Sequence, residues 1–170
     1  GLVHAGLMNV ELYAAFFTNT ENIREISISD NRLQIAYKWN QETIDQLKET
    51  GKNAILPRQH QEMLVSYHNE LARVLDSIKG EKTSLLQVLK PMFSYALEQS
   101  QSSGKPVLEN TALLQTLATY SNNSDLSNFI ANDLAAQTRA IPYRSIYLNN
   151  RADLSRHFLI SSGLAVTTNS

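Results

Sequence analysis

The segment ADLSRHFLIS, residues 152–161, carries an acid, an imidazole and a hydroxyl at intervals of four residues. Asp153, His157 and Ser161 would lie in a row along one face of a helix, because four residues turn an α-helix by about 400°. These are the side-chain types of a hydrolytic triad. The pattern therefore suggests catalysis, with His157 as general base or metal ligand, Asp153 as its orienting group or second ligand, and Ser161 as a hydroxyl contact.

Other interpretations of the same three residues stay open. His157 and Asp153 have the spacing of two metal ligands on one helix face, although a zinc ion would need a third ligand from another element. In the simplest interpretation, which we favour, Asp153 complements the helix dipole and the other two are ordinary polar residues. The row could also be a polar binding contact. A full triad is disfavoured because a helical serine has its neighbouring N–H groups committed to the helix, which leaves no oxyanion donor.

A second pair of polar residues opens the most apolar segment of the chain, residues 107–120. Glu109 in a first helical turn complements the helix dipole, and Asn110 suits a capping contact. Because the surrounding helix is expected to be buried, both side chains could instead project into a pocket and bind a ligand. We favour the structural role and keep ligand binding by Glu109 and Asn110 as the alternative.

Composition narrows the possible partners and cofactors. Fifteen basic and 16 acidic residues are interleaved and give a net charge of −1, so nucleic acid is not an expected partner. Tyr143, Arg144, Tyr147 and Arg151 make at most a small basic-aromatic patch, which a strand surface would explain equally well. The absence of cysteine excludes disulfides and thiolate chemistry, and it fits an oxidising compartment. The six glycines form no phosphate-binding loop.

Hydrophobic periodicity predicts a mainly α fold, a helical bundle with a small antiparallel β-hairpin attached. Helices are expected over residues 2–17, 41–50, 57–79, 83–100 (with a kink or restart at Pro91), 107–120, 125–136 and 152–166. Alternation on both sides of SDNR predicts the hairpin within residues 22–39, and residues 141–149 are the other strand candidate. With no repeat or linker, residues 1–170 are expected to form a single domain.

For the two histidines of the long helix over residues 57–79, we expect different degrees of burial. His68 is in register with Leu64 and Leu71, which predicts a partly buried ring with a hydrogen-bond partner. His60 lies near the helix start and is expected to be exposed. Eight residues place the two rings about 12 Å apart along the axis, too far to share one metal ion.

Two segments together resemble a group of uncharacterised exported proteins of proteobacteria. KPVLENTALLQTLATY, residues 105–120, is similar to the Pro-Val-x-Glu-Asn-x-Ala-x-Leu helix of that group. DLSRHFLISSGLAV, residues 153–166, is similar to its Asp-Leu-x-x-His-Phe-x-x-Ser-x-x-Leu-Ala helix. The likeness extends in style over most of residues 20–166, and the matching motif positions are Glu109, Asn110, Asp153, His157, Phe158 and Ser161.

The resemblance implies a periplasmic protein of the cell envelope, held to the inner membrane by an N-terminal anchor upstream of this chain, with no established activity. Members of the group continue past this helix into a segment with a Lys-Glu pair, a further Asp and a Gly-Ser-Gly-Phe-Ser-Phe stretch. That implies that the chain lacks a C-terminal segment, which would hold acidic partners of His157. We expect a domain without a cofactor that binds or organises an envelope protein or a small ligand. The alternative is a metal-assisted or peptidase-like hydrolase that uses zinc.

Overall fold

The computed structural model describes residues 21, 23–37, 41–42, 45 and 56–168, and the chain divides into two compact units, Gly1–Pro57 and Arg58–Ser170. The fold is mainly α-helical with a small antiparallel hairpin, which confirms the predicted fold class. The predicted helix over residues 2–17 lies outside the described residues, as does most of that over 41–50. The single domain of residues 1–170 stays a prediction, and each unit is described by itself.

The first unit contains the predicted hairpin. Strands β1 (Ile23–Ser29) and β2 (Arg32–Tyr37) pair in antiparallel register. Asp30 and Asn31 form the turn with φ angles of 49° and 59°. These residue types tolerate the left-handed conformation that tight hairpin turns require. Period-two patterning places the large aliphatic side chains of both strands on one exposed face, namely Ile26, Ile28, Leu33 and Ile35.

The second unit is a helical bundle. Four long helices form it, α1 (Arg58–Ser77), α2 (Leu85–Ser103), α3 (Pro106–Ser121) and α5 (Ala152–Thr168), with a short α4 (Asn132–Ala135). Helix α3 is central, as its apolar sequence predicts, because it packs against α1, α2 and α5. The core between them includes Leu71, Leu75, Val88, Met92, Leu113, Leu117 and Leu159. No helix in the described part of the chain is long and apolar enough to span a bilayer.

Local signals in the sequence fix the start and end of α2. Ser84 Oγ accepts the Gln87 N–H while Gln87 Oε1 accepts the Ser84 N–H, a reciprocal capping box. Gly104 ends the helix with a φ of 68°, which glycine adopts without strain. The expected restart at Pro91 does not occur, since α2 continues through it as one element. Burial of the surrounding face, including Met92 and Ala96, offsets the lost backbone hydrogen bond.

The segment after α3 differs from the helix predicted over residues 125–136. It contains a 3-10 turn, Leu126–Asn128, and then the single turn of α4. The physical reason is a tertiary hydrogen bond. The buried Gln61 side chain of α1 accepts the Ala131 N–H at 2.7 Å, so that group is not available to a continuous helix. Of residues 141–149, only β4 (Ile146–Tyr147) is a strand, and it pairs in parallel with β3 (Thr83–Ser84).

Of the two histidines of α1, one has the predicted environment and the other does not. His68 is partly buried and its Nε2 lies 2.8 Å from the Arg139 carbonyl oxygen, which confirms the prediction. The expected exposure of His60 is wrong, because only 7 % of it is accessible and its Nε2 lies 2.6 Å from Gln115 Oε1. The first turns of α1 are exposed at Arg58 and Glu62, but the face that carries His60 packs against α3. Sequence position alone does not reveal that contact.

Candidate functional site

Helix α5 carries the three residues of the proposed triad. A tight turn precedes it, in which Leu148 and Arg151 exchange backbone hydrogen bonds. Asn149 and Asn150 take φ angles of 49° and 64° there, as asparagine tolerates. The helix then runs unbroken over Ala152–Thr168, so the predicted row of polar residues at intervals of four is present.

The carboxylate of that row binds an arginine. Arg151 Nε and Nη2 donate to the two oxygens of Asp153 at 3.1 and 2.5 Å, a bidentate ion pair. The hydrogen bond from Arg151 is the main reason that the pKa of Asp153 lies below its ordinary value. The N–H groups of Asp153 and Leu154 also contribute to this lowering. Asp153 therefore lies in the first turn of α5 and neutralises Arg151.

The imidazole and the hydroxyl of the row are both exposed. Neither the His157 side chain nor the Ser161 side chain has a hydrogen-bond partner among the described residues. His157 lines a groove together with Asp153, and Ser161 does not line it. The structure thus places two of the three residues at one concave surface, without a hydrogen-bonded relay among them. The catalytic roles of Asp153, His157 and Ser161 stay predictions.

Glu109 and Asn110 lie away from that groove. Glu109 is only 3 % exposed and accepts a hydrogen bond of 2.8 Å from the Tyr67 hydroxyl, in the contact between α1 and α3. Asn110 is exposed, and its Nδ2 donates to the Pro106 carbonyl one turn earlier. These contacts give both side chains a structural role. Ligand binding by either residue stays a prediction.

The groove lies between the end of α3, the segment before β4 and the first turns of α5. We call it the α3–α5 groove and define it by Tyr120, Ser121, Tyr143, Arg144, Arg156 and His157, with a volume of about 670 Å³. Ile146 and Ile160 add apolar surface to its lining. A concave surface of this size, part apolar and part charged, is typical of a small-ligand site.

A buried tyrosine attaches the irregular segment to the bundle. The Tyr120 hydroxyl accepts the Arg144 N–H at 2.9 Å, and the carbonyls of Pro142 and Arg144 lie 3.4 and 3.3 Å from it. Burial raises the pKa of Tyr120, so this hydroxyl stays protonated in neutral solution. The Tyr120 and Tyr143 rings also pack with centroids 5.7 Å apart. One wall of the groove is therefore fixed by α3.

Two arginines line the groove, and each has N–H donors that are not used within the described structure. Arg144 Nη1 donates to the carbonyls of Leu75 and Ile78, at 3.3 and 3.5 Å, at the end of α1. Arg156 Nη2 donates to Asn122 Oδ1 at 3.3 Å. The other N–H groups of both guanidinium side chains have no partner within the described residues. A guanidinium group has five donors, so most remain available.

Two buried serines line the groove and differ in their hydrogen bonding. Ser155 Oγ bonds to the carbonyls of Ile146 and Ala152. Ser121 is 6 % exposed, and its Oγ is buried without a hydrogen-bond partner in the described structure. Nearly all buried hydroxyls in folded proteins are paired, so Ser121 Oγ is an exception in the lining of this groove.

Replacing these serines by alanine should have opposite effects on stability. Ser121→Ala is expected to leave the free energy of unfolding unchanged or to raise it by up to about 1 kcal/mol, because it removes a buried polar atom without a partner. Ser155→Ala should lower it by about 1 kcal/mol, because a hydrogen bond is lost. Urea denaturation of both variants measures the difference. A clear loss of stability in Ser121→Ala would contradict the assignment of an unpaired hydroxyl.

Sequence reasoning missed part of this groove. Ser121 and Tyr120 end an apolar helix and belong to no motif. Arg156 stands next to His157 in the sequence but outside the row of polar residues at intervals of four. The predicted basic-aromatic patch is divided, since Tyr143 and Arg144 line the groove while the Tyr147 ring lies 5.5 Å from Lys82 Nζ. The signal that was available is the clustering of arginine and tyrosine in residues 143–156.

The described residues contain no cluster of potential metal ligands, and the sequence has no match among known proteins. Within the residues that the structure describes, no group of three or more His, Cys, Asp and Glu side chains is placed to hold a metal ion. The zinc alternative stays a prediction. No family model matches the sequence, and comparisons with curated proteins and with solved structures gave no match either.

Proposed function

We propose that this chain is a ligand-binding domain of the bacterial cell envelope and that it holds a small ligand in the α3–α5 groove. The observation that carries the proposal is a groove of about 670 Å³ in whose lining Arg144 and Arg156 keep guanidinium donors without a partner among the described residues. A ligand with hydrogen-bond acceptors would pair these donors. Rigid walls support the same proposal, because Tyr120 and Ser155 fix the surrounding segments by hydrogen bonds.

The periplasmic location and the upstream anchor are part of this proposal. Their support is the sequence resemblance at residues 105–120 and 153–166, together with the absence of cysteine. Fractionation of cells that express the full-length protein checks the location. The protein should be protease-sensitive in spheroplasts and protected in intact cells. Protection in both would contradict the envelope assignment and leave ligand binding untouched.

Fragment screening by NMR tests the groove itself. Titration of the isotope-labelled chain with small fragments of positive, negative and neutral charge should shift amide signals of Tyr143, Ile146 and Ile160. Ala152→Trp should block these shifts, because residue 152 lines the groove. Ala136→Trp is the matched control, since Ala136 is exposed and does not line it. Shifts scattered over the surface, or the absence of any groove binder, would contradict the proposed function.

The hydrolase alternative has weaker support from the contacts. The carboxylate of Asp153 is bound by Arg151, and Ser161 does not line the groove. A nucleophile also needs backbone donors for an oxyanion, and a serine inside α5 has its nearby N–H groups engaged in the helix. We therefore propose binding rather than catalysis for His157, at the rim of the groove.

A further inference from the structure

We infer that the α3–α5 groove recognises an oxyanion, a carboxylate or phosphate group, attached to an apolar or aromatic body. This inference rests on the proposed function and adds the chemical class of the ligand. It follows from the charges that line the groove, from the donors that remain unpaired there and from the side chains beside them.

The charge balance of the groove favours an anion. Arg144 and Arg156 line it, and the acid that lines it, Asp153, is neutralised by the bidentate contact with Arg151. A cationic ligand would meet two guanidinium groups and no free carboxylate in this lining. Guanidinium groups bind carboxylate and phosphate oxygens by two parallel hydrogen bonds, which gives orientation as well as affinity.

The unpaired donors point to the same class. Each arginine donates from one terminal nitrogen to the protein: Arg144 to carbonyls at the end of α1, and Arg156 to Asn122. The other guanidinium N–H groups have no partner within the described residues. Ser121 also lines the groove, but its Oγ is buried, so the arginine side chains are the donors within reach of a ligand. The carboxylate of Asp153 lies in the first turn of α5, so side chains rather than the helix end would hold the anion.

Apolar surface beside these donors indicates the rest of the ligand. Tyr143 is 48 % exposed, and Ile146 and Ile160 line the groove with it. An inorganic ion would leave this surface in contact with water. A molecule with an anionic head and an aromatic or alkyl body would cover it and add hydrophobic binding free energy.

Matched probes test the class of ligand. The isotope-labelled chain is titrated with 4-phenylbutyrate, with phenyl phosphate, with the neutral 4-phenylbutyramide and with inorganic phosphate. We expect both organic anions to bind at least about tenfold more tightly than the amide, the effect of one charge-assisted hydrogen bond. Inorganic phosphate should bind more weakly than phenyl phosphate. Affinity for the anions should fall as sodium chloride is raised.

Variants assign the effect to the two arginines. Arg144→Gln and Arg156→Gln should each weaken binding of 4-phenylbutyrate about tenfold and leave binding of the amide unchanged. Arg144→Lys should retain part of the affinity, because it keeps the charge and loses the planar fork. Arg73→Gln is the control, since Arg73 is exposed, pairs with Glu70 and does not line the groove.

The outcomes separate this inference from the proposed function. Groove binding of the amide as tight as that of the anions would overturn the oxyanion inference and keep the proposed function. No groove binding by any probe or fragment would overturn both. Sedimentation with phosphatidylglycerol vesicles, and with phosphatidylcholine vesicles as control, distinguishes the source of the anion. Arginine-dependent binding to the first alone identifies a lipid head group, and soluble binding without sedimentation identifies a free anion.

Discussion

Tyr67→Phe is expected to lower the free energy of unfolding by about 3 kcal/mol, although it removes a single oxygen atom. Tyr67 is fully buried, and its hydroxyl donates to Glu109 Oε2 at 2.8 Å. The variant would leave the carboxyl group of Glu109 buried without that donor, and no other side chain within the described residues replaces it. Urea denaturation followed by circular dichroism measures the loss.

The neighbouring ring supplies the control for Tyr67. Tyr95 packs edge-on against Tyr67 with centroids 5.2 Å apart, and its hydroxyl has no hydrogen-bond partner in the described structure. Tyr95→Phe should therefore change the free energy of unfolding by less than about 0.5 kcal/mol. The double variant Tyr67→Phe with Glu109→Leu should recover most of the loss, because both polar groups are then removed. Equal losses for the two tyrosines would contradict the assignment.

The same pair predicts how stability depends on alkaline pH. Burial, and then the hydrogen bond to Glu109, raise the pKa of Tyr67 above its ordinary value. A raised pKa in the folded state contributes stability below the pKa of the unfolded chain, about 10, and that contribution is lost as the pH rises beyond it. Above pH 10, the stability of the natural protein should thus fall more steeply than that of Tyr67→Phe.

Gly163→Ala is the second large effect, with an expected loss of about 2 kcal/mol of unfolding free energy. In an ordinary helix the change would have the opposite sign, because alanine favours helix by about 1 kcal/mol over glycine. Here α5 approaches α3 so closely that a Cβ at residue 163 would overlap the Cβ of Ala118 and lie 3.3 Å from the Leu114 carbonyl oxygen. The steric term dominates because both contacts are with α3 itself rather than with a flexible side-chain end.

Two variants isolate the steric cause at Gly163. Ser161→Ala, at an exposed position of the same helix, should change the free energy of unfolding by less than about 0.5 kcal/mol. Ala118→Gly should be destabilising alone and should recover part of the stability in the Gly163→Ala background, a positive coupling in a double-mutant cycle. A Gly163→Ala protein more stable than the natural one would overturn the close approach of α3 and α5.

Local structure could be read from the sequence wherever one or two residues determine the backbone conformation. Asp30 and Asn31 set the hairpin turn, Ser84 with Gln87 started α2, and Gly104 ended it. Periodicity predicted the partly buried position of His68 on α1, and the apolar sequence of α3 predicted its burial. Each of these signals acts within a few residues, so neighbours in sequence are sufficient to read them.

Contacts between residues distant in the chain decided the features of the fold that the sequence did not predict. The hydrogen bond of Gln61 to the Ala131 N–H divided the helix expected over residues 125–136, and the packing of α1 on α3 buried His60.

At the site, the sequence placed Asp153, His157 and Ser161 in a row on one helix, because helical spacing is a local property. The ion pair of Asp153 with Arg151 is also local, since the two residues are two positions apart. Only the tertiary structure brought the end of α3 beside the start of α5. A groove is formed by elements distant in the chain, so its unpaired hydroxyl at Ser121 and its two arginines have no signature in the sequence.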